Sequence, residues 1–392
     1  MLHRHGGWRG ALVAAVCALA TPAAAASAQT YVNDAVTAIQ TLNNDFYDVS
    51  TGLWGNAWWN SANALTTLAD FASVRLTEAN QLNVGGYMRN TYIQAQNPNA
   101  QARRSIVERR MAKRELLQKR EPLQKRGFAN FINQYYDDEG WWALALIRSH
   151  DVAGDRDYLD SAVNIFNDMQ TGRGTPCGGG IYWSKDRQYV NAIANELYLT
   201  VAASLANRIP QNRTYANIAT AQWQWFDRSG MINAQGLIND GLTANCQNNG
   251  LQTWSYNQGV ILGGLVELSR ATGDASYIQR AVNIAQAAIK ALANTNGVLV
   301  ETDQCELKPG NCGGDGAQFK GVFVRNLRYL NTVAPNQAFE NFITKNADSI
   351  WANDRNNQNM LGVAWTGPYV TATAGSHSSA LDVLVAAIAV SN

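Results

Sequence analysis

Histidine is scarce in this chain: four are present, and only His150 and His377 lie beyond the first 28 residues. With so few imidazoles, and with cysteines that lack metal-ligand spacing, neither a zinc centre nor a cofactor is expected. No serine-nucleophile motif stands out either. Pro-rich and Ser-rich linkers are missing, so nothing divides the chain, and a body of roughly 340 residues reads as one large domain. Alternating strand patterns are scarce, which argues against a β architecture. No apolar run beyond the N-terminus reaches membrane-spanning length.

What the N-terminus does carry is a leader pattern. Arg4 and Arg9 precede the apolar run from Ala11 to Ala20, and Ala26-Ser27-Ala28 offers small residues before a cut at Gln29. Residues 1–28 are therefore expected to be a secretory signal peptide and residues 29–392 the mature protein. Its remaining cysteines are Cys177, Cys246, Cys305 and Cys312. An even number in an oxidising compartment predicts two disulfides, for which three pairings exist. Cys305 with Cys312 is favoured because it closes a short Pro/Gly loop, leaving Cys177 with Cys246. Asn212-Arg213-Thr214 is a glycosylation sequon in a predicted turn. The chain ends at Asn392 directly after a predicted helix, without the spacer and tail of a lipid-anchor signal, so a soluble secreted monomer is expected.

Charge is unevenly spread. Residues 101–126 hold ten Lys/Arg and three Asp/Glu, whereas the rest of the mature chain holds 19 basic and 27 acidic residues. This basic insertion reads as a solvated arm, or as a cleavage site for a processing protease after Arg120 or Arg126. Nucleic-acid binding does not suit an acidic secreted body.

Helical periodicity dominates the remainder. Helices are predicted over 32–46, 58–73, 87–96 resumed at 128–134, 139–150, 156–169, 189–207, 215–226, 254–271, 275–293, 319–330, 337–351 and 376–390. The links at 151–155, 208–214, 272–274 and 332–336 are short and polar. Those at 171–188, 227–253, 294–318 and 352–375 are long and rich in Gly, Trp and Asn. Twelve helices with that rhythm predict an all-α (α/α)6 barrel whose long links all emerge at one working end. Trp54, Trp58, Trp59, Trp141, Trp142, Trp183, Trp254 and Trp365, eight of eleven mature tryptophans, fall at that end with Tyr182 and Tyr369. Such segregation predicts a sugar-binding face.

On the link before the fourth predicted helix lies Tyr135-Tyr136-Asp137-Asp138-Glu139-Gly140-Trp141-Trp142. Carboxylates in a first helical turn face free N–H groups and the positive end of the dipole, so one can stay ionised. A neighbour walled by tryptophan and by a like charge can stay protonated. That pair is what glycoside cleavage requires, although Asp at an N-cap followed by Asp and Glu is also ordinary capping. The glycine-rich stretches Cys177-Gly178-Gly179-Gly180-Ile181-Tyr182-Trp183 and Cys312-Gly313-Gly314-Asp315-Gly316 lack the strand and the Gly-Lys-Ser/Thr ending of a phosphate loop, and read as tight turns. His150 ends a helix, where a C-terminal cation is the default, while His377 at the working end is a candidate auxiliary substrate contact. Asn195 and Glu196 lie within a helix, where a surface position is the default. Lys320 and Arg325 would pair with a carboxylate or bind hydroxyls.

Tyr136-Asp137-Asp138-Glu139-Gly140-Trp141-Trp142-Ala143-Leu144-Ala145 resembles the signature of glycoside hydrolase family 76, the endo-α-1,6-mannanases of bacteria and fungi. Asn56-Ala57-Trp58-Trp59 with Asn63-Ala64-Leu65, Gly179-Gly180-Ile181-Tyr182-Trp183 and Trp254-Ser255-Tyr256-Asn257-Gln258-Gly259 are similar to the same family, in the same order. So are Phe319-Lys320-Gly321-Val322-Phe323-Val324-Arg325 and Ser379-Ala380-Leu381-Asp382-Val383-Leu384. The resemblance implies an (α/α)6 barrel that cleaves α-1,6-mannan with retention, Asp137 as nucleophile, Asp138 as general acid/base and Glu139 as a supporting or capping group. Retention needs carboxyls about 5 to 5.5 Å apart, which adjacent residues at a turn can supply. Trp58, Trp59, Asn63, Trp141, Tyr182, Trp183, Asn195, Tyr256, Asn257, Lys320 and Arg325 are the expected substrate contacts. A transglycosidase using the same aspartates, or a non-catalytic mannan-binding protein, are the alternatives. The basic insertion at 101–126 departs from the family pattern.

Overall fold

The computed structural model describes residues 27–55, 57–97, 127–308 and 310–391. The basic insertion at 101–126 with its predicted cleavage sites, and residues 1–26 of the predicted leader, lie outside the described residues.

Six helices form a closed inner ring: α2 (Trp58–Val74), α5 (Tyr136–Ala153), α7 (Ala192–Arg208), α9 (Ser255–Thr272), α11 (Gly313–Val333) and α13 (Ala374–Val390). Each packs against the next, and α13 returns to α2. Around them stand α1 (Ala28–Thr41), α3 (Leu76–Gln81) with α4 (Val84–Gln94), α6 (Arg156–Met169), α8 (Thr214–Arg228), α10 (Ser276–Leu292) and α12 (Gln337–Asn353). The result is the expected (α/α)6 barrel. Sequence patterning explains the two rings. On α6 the buried residues Tyr158, Leu159, Ala162, Ile165, Phe166 and Met169 form one stripe, as a helix facing the core on one side requires. On α7 every residue from Ala192 to Ala206 is buried, which is the condition of a helix enclosed all round.

Glycine sets the spacing of the inner ring. A Cβ on Gly259 of α9 would fall 2.5 Å from the Phe323 Cα of α11, and one on Gly321 of α11 would meet the Ser379 backbone of α13 at 2.4 Å. Only hydrogen allows those backbones to approach so closely.

Three boundaries differ from expectation. Helix α1 begins at Ala28, with Ser27 Oγ accepting from Thr30 N–H at 3.3 Å as its cap, so two residues assigned to the leader open the first helix. The outer partner of α2 is broken at Asn83, whose φ of 54° ends α3 and starts α4, giving thirteen helices among the described residues. Residues 128–134 do not resume a helix: Asn130 and Phe131 take φ of 58° and 60°, leaving one 3-10 turn at Ala129–Phe131 and extended backbone after it. Strands are limited to two antiparallel pairs, β1 (Tyr47–Asp48) with β2 (Leu53–Trp54) and β3 (Val190–Asn191) with β4 (Gly241–Leu242). Both disulfides have the favoured pairing, Cys177–Cys246 and Cys305–Cys312.

Candidate active site

The long links, all at the N-terminal ends of the inner helices, share a construction that the sequence reading missed. Asn233-Ala234-Gln235-Gly236-Leu237-Ile238, Asn294-Thr295-Asn296-Gly297-Val298-Leu299 and Asn356-Asn357-Gln358-Asn359-Met360-Leu361 fold alike. In each, the leading Asn Oδ1 accepts from the N–H groups two and four residues on, at 2.9 to 3.1 Å. The fourth residue, Gly236, Gly297 or Asn359, adopts positive φ. A buried side chain then takes the N–H of the sixth: Gln258 holds Ile238 at 2.8 Å, Asn346 holds Leu299 at 2.8 Å, and His377 Nδ1 holds Leu361 at 3.0 Å. Asn195 does the same for Ile181 at 2.7 Å. The working face is thus tethered to the helices, three times to the inner ring and once to outer helix α12, by polar groups that the core fully encloses.

This corrects several expectations. Asn195 and Glu196 are both fully buried rather than on the surface, and Asn195 is an anchor for the Gly180-Ile181 turn. His377 is likewise buried; its Nε2–H donates to the Ala38 carbonyl at 2.8 Å, and burial pushes its imidazole down to about 4. It has no path to a ligand. His150 donates from Nδ1 to the Asp155 carbonyl at 2.9 Å, closing the end of α5.

Asp137 and Asp138 occupy the first turn of α5. The backbone leading into it is pinned by Tyr136 N–H to Trp183 O at 2.9 Å and Lys185 N–H to Gln134 O at 3.0 Å. This pairing delivers Trp183 to the helix start. Its indole N–H donates to Asp137 Oδ2 at 2.9 Å, while Asp137 Oδ1 accepts from Asp138 N–H at 3.0 Å. The capping reading is satisfied only in that last bond, because Tyr135 at the N-cap contributes no side-chain bond. Asp138 has one side-chain donor, Asn133 Nδ2 at 2.6 Å. Burial raises both carboxyls, Asp137 against the Trp183 and backbone bonds, Asp138 further because the Asp137 charge adds to burial. One carboxyl is therefore prepared as the anion and the other as the acid.

Glu139 supports this pair from behind. It is fully buried and meets Lys185 Nζ at 2.9 Å. Its Oε1 also accepts the Asn133 N–H at 3.2 Å, fixing the residue that holds Asp138. Burial lifts it to about 8 in spite of Lys185.

The two aspartates open onto a cleft of about 540 Å3. One wall is a run of aromatic rings: Trp59 stacks on Trp141 at 5.6 Å, Trp141 on Tyr256 at 6.5 Å, and Tyr256 on Phe319 at 3.8 Å. Asp315 receives the Trp59 indole N–H at 2.8 Å, and Asp240 receives the Tyr189 hydroxyl at 2.5 Å. Four carboxylates and, among the described residues that line it, no lysine or arginine face this space.

Of the expected contacts, Trp58, Trp59, Trp141, Trp183 and Tyr256 line the cleft with Asp137 and Asp138. The others stand elsewhere. Tyr182 lies outside the lining beneath Arg187. Asn257 is fully buried. Lys320 is buried over the Trp365 ring, bonded to Glu306 at 3.0 Å and the Val363 carbonyl at 2.8 Å. Arg325 bonds Asn63 inside the barrel, below the cleft. Trp54, Trp142 and Trp365 are core residues. Their gathering at one end reflects packing beneath the links as much as any platform for ligand. Asn212 is exposed in its turn. Cys305, Glu306 and Cys312 come within 4.8 Å of one another, but both sulfurs are spent in the disulfide, so no thiolate is left for a metal. Sequence reasoning missed Asp240, Asp315, Tyr189 and Asn133.

A helical barrel with an aromatic-walled, carboxylate-bearing cleft at the long-link end defines a carbohydrate-active class of protein. The chain belongs to Glycosyl hydrolase family 76, whose model matches residues 20–391. It is 29% identical over 216 residues to the mannan endo-1,6-α-mannosidase Dfg5 of Candida albicans, an alignment covering 51% of this chain and 47% of that protein. The chain spans about half the length of the curated relatives it matches. Among solved structures it is similar to an inactive variant of the α-1,6-mannanase GH76A of Salegentibacter sp. in complex with α-1,6-mannotetrose. That likeness has a TM-score of 0.73 at 20% identity and covers 92% of this chain and 99% of that one. Dfg5 of Chaetomium thermophilum, solved in complex with glucosamine, matches with a TM-score of 0.70 at 18% identity over 92% and 89% of the two chains.

Proposed function

We propose that this protein is a retaining endo-hydrolase of α-1,6-mannosidic linkages. The observation that carries the reading is the unequal support of two adjacent buried carboxyls: Asp137 holds the indole N–H and a backbone N–H, whereas Asp138 has one amide donor and the neighbouring charge. Asp137 attacks the anomeric carbon as Asp138 passes its proton to the departing glycosidic oxygen, and a covalent mannosyl ester forms. Asp138, now anionic, takes a proton from water as that water attacks the anomeric carbon; the ester C–O bond breaks and both carboxyls return to their starting states. The aromatic wall stacks on sugar faces, and Asp240 and Asp315 accept sugar hydroxyls. The names of the relatives supply the linkage.

On this reading the N-terminal apolar segment ahead of α1 acts as a secretory leader, and the protein works outside the cell as a glycosylated monomer. Its two disulfides support that compartment, and no helix among the described residues is long and apolar enough to cross a membrane.

Mass-spectrometric analysis of products from linear α-1,6-mannooligosaccharides tests the activity, with Asp137→Asn as control. Shorter products only, absent from the control, are expected. Products longer than the substrate would instead identify a transglycosidase, and unchanged substrate a binding protein.

A further inference from the structure

On the far side of Trp141 from the cleft, the barrel axis holds a second cavity of about 430 Å3 lined by all six inner helices. Its charges fall into two tiers. At the mouth, Arg208 pairs with Asp151 at 2.6 Å and with Glu267 at 2.5 Å, and Arg270 meets Glu267 at 3.2 Å. There two guanidiniums face two carboxylates. Deeper, the guanidiniums of Arg148, Arg325 and Arg328 gather on Asp70 and Asp382, and Arg148 also reaches Asp151 at 3.5 Å.

The deep tier leaves one cation poorly served. Asp70 already accepts from Arg148 Nε at 2.5 Å and from the Tyr329 hydroxyl at 2.5 Å. Arg328, whose side chain is 7% exposed, reaches Asp70 at 3.0 Å, but Nη2 makes that contact outside hydrogen-bond geometry and has no other acceptor. Asp382 accepts from Thr67 at 2.6 Å and stands 3.7 Å from Arg325. Burial lifts Asp382 to about 7 despite Arg325, so near neutrality it offsets less than a full charge. A buried guanidinium without its complement of acceptors is costly, and its planar fork matches an oxyanion.

We propose that this axial cavity is a binding site for a small oxyanion of the phosphate, sulfate or carboxylate class, seated on the guanidinium of Arg328 with Arg325 and Arg148 supplying further positive charge. The barrel is then electrostatically polar along its axis. The cleft, with four carboxyl groups of which Asp138 is held as the acid, and no cation in its described lining, disfavours anions, and the opposite cavity holds one.

The test uses the full-length protein in low-salt buffer free of oxyanions, titrated calorimetrically with inorganic phosphate, then with sulfate and with acetate. One saturable site per chain is expected. Preference for phosphate or sulfate identifies a tetrahedral anion, and preference for acetate a carboxylate. Arg328→Gln should weaken the favoured anion at least about tenfold, since a charge-assisted fork is lost. Should that variant fail to fold, thermal scans of the unsubstituted protein decide: Tm rises with the favoured anion and not with chloride at equal ionic strength. No saturable heat with any of the three, a Tm that follows ionic strength alone, or a site that Arg328→Gln leaves unchanged would overturn the proposal.

Discussion

Trp183 donates its indole N–H to Asp137 Oδ2 at 2.9 Å, and the same residue's carbonyl accepts from Tyr136 N–H. The ring that stabilises the anion is thus positioned by the backbone that opens α5. Trp183→Phe keeps the ring and removes the donor. Because that bond favours the ionised carboxyl, its loss raises the Asp137 pKa, so the acid limb of the kcat/KM profile should move to higher pH by about one unit. A hydrogen bond to a charged group contributes roughly 1.5–3 kcal/mol. An unmoved acid limb in a pH-rate series on mannotetraose would count against Asp137 as the nucleophile.

Asp137→Asn removes the proposed nucleophile and Asp138→Asn the proposed acid/base, and each should lower turnover by at least about 100-fold, the lower range for loss of the acid/base group alone. Stability should move the other way. The folded-state carboxyl of Asp138 titrates well above an unfolded one, near 4, so the folded state holds the proton more tightly. The stability this confers at low pH is lost as pH rises through the folded-state value. Asparagine has no proton to lose, so thermal scans should give Asp138→Asn a higher Tm than the parent at pH 7, with the gap closing toward about pH 4.

Asp315 bears on both proposed catalytic carboxyls, Asp137 and Asp138, and its negative charge raises each of them. Asp315→Asn removes that charge without removing volume. Both limbs of the pH profile should therefore shift to lower pH together, by roughly half a unit. Movement of one limb alone in the same assay would show that Asp315 touches only one partner.

The two disulfides close loops of very different length, with separations of 69 and 7 residues. On the chain-entropy account, losing Cys177–Cys246 should cost about 4 kcal/mol and losing Cys305–Cys312 about 2 kcal/mol. Urea unfolding of the paired Cys→Ser variants checks the order, and equal losses would refute the entropic origin.

The barrel was legible because its cause is periodic. A helix enclosed all round, such as α7, and a striped one, such as α6, leave different patterns, and link length alternates with them. The aspartate pair was legible because both groups are adjacent in the chain. Asp240 and Asp315 were not, since each is a lone acid in a Gly/Asn-rich stretch and only closure of the ring brings them opposite α5. Asn63, Lys320 and Arg325 were assigned to the cleft from motifs that do border it. Helical rotation instead turns Asn63 and Arg325 to the axis and Lys320 to Glu306. A usable signal was overlooked in the Asn-led turns at 233–238, 294–299 and 356–361. Their repeat sets Asp240 two residues past Ile238, and the side chains that hold the three turns are Gln258, Asn346 and His377.

Those Asn-led turns have an implication for how such a protein diversifies. Each turn closes on its own hydrogen bonds and is fastened to the barrel by buried side chains, Gln258 for one, Asn346 of outer helix α12 for the second, His377 and Ser376 for the third, while the aspartate pair rides on a separate helix. Segments beyond the fastening point can be exchanged, lengthened or grafted one at a time. A change of turn sequence past that point therefore leaves the geometry around Asp137 and Asp138 untouched.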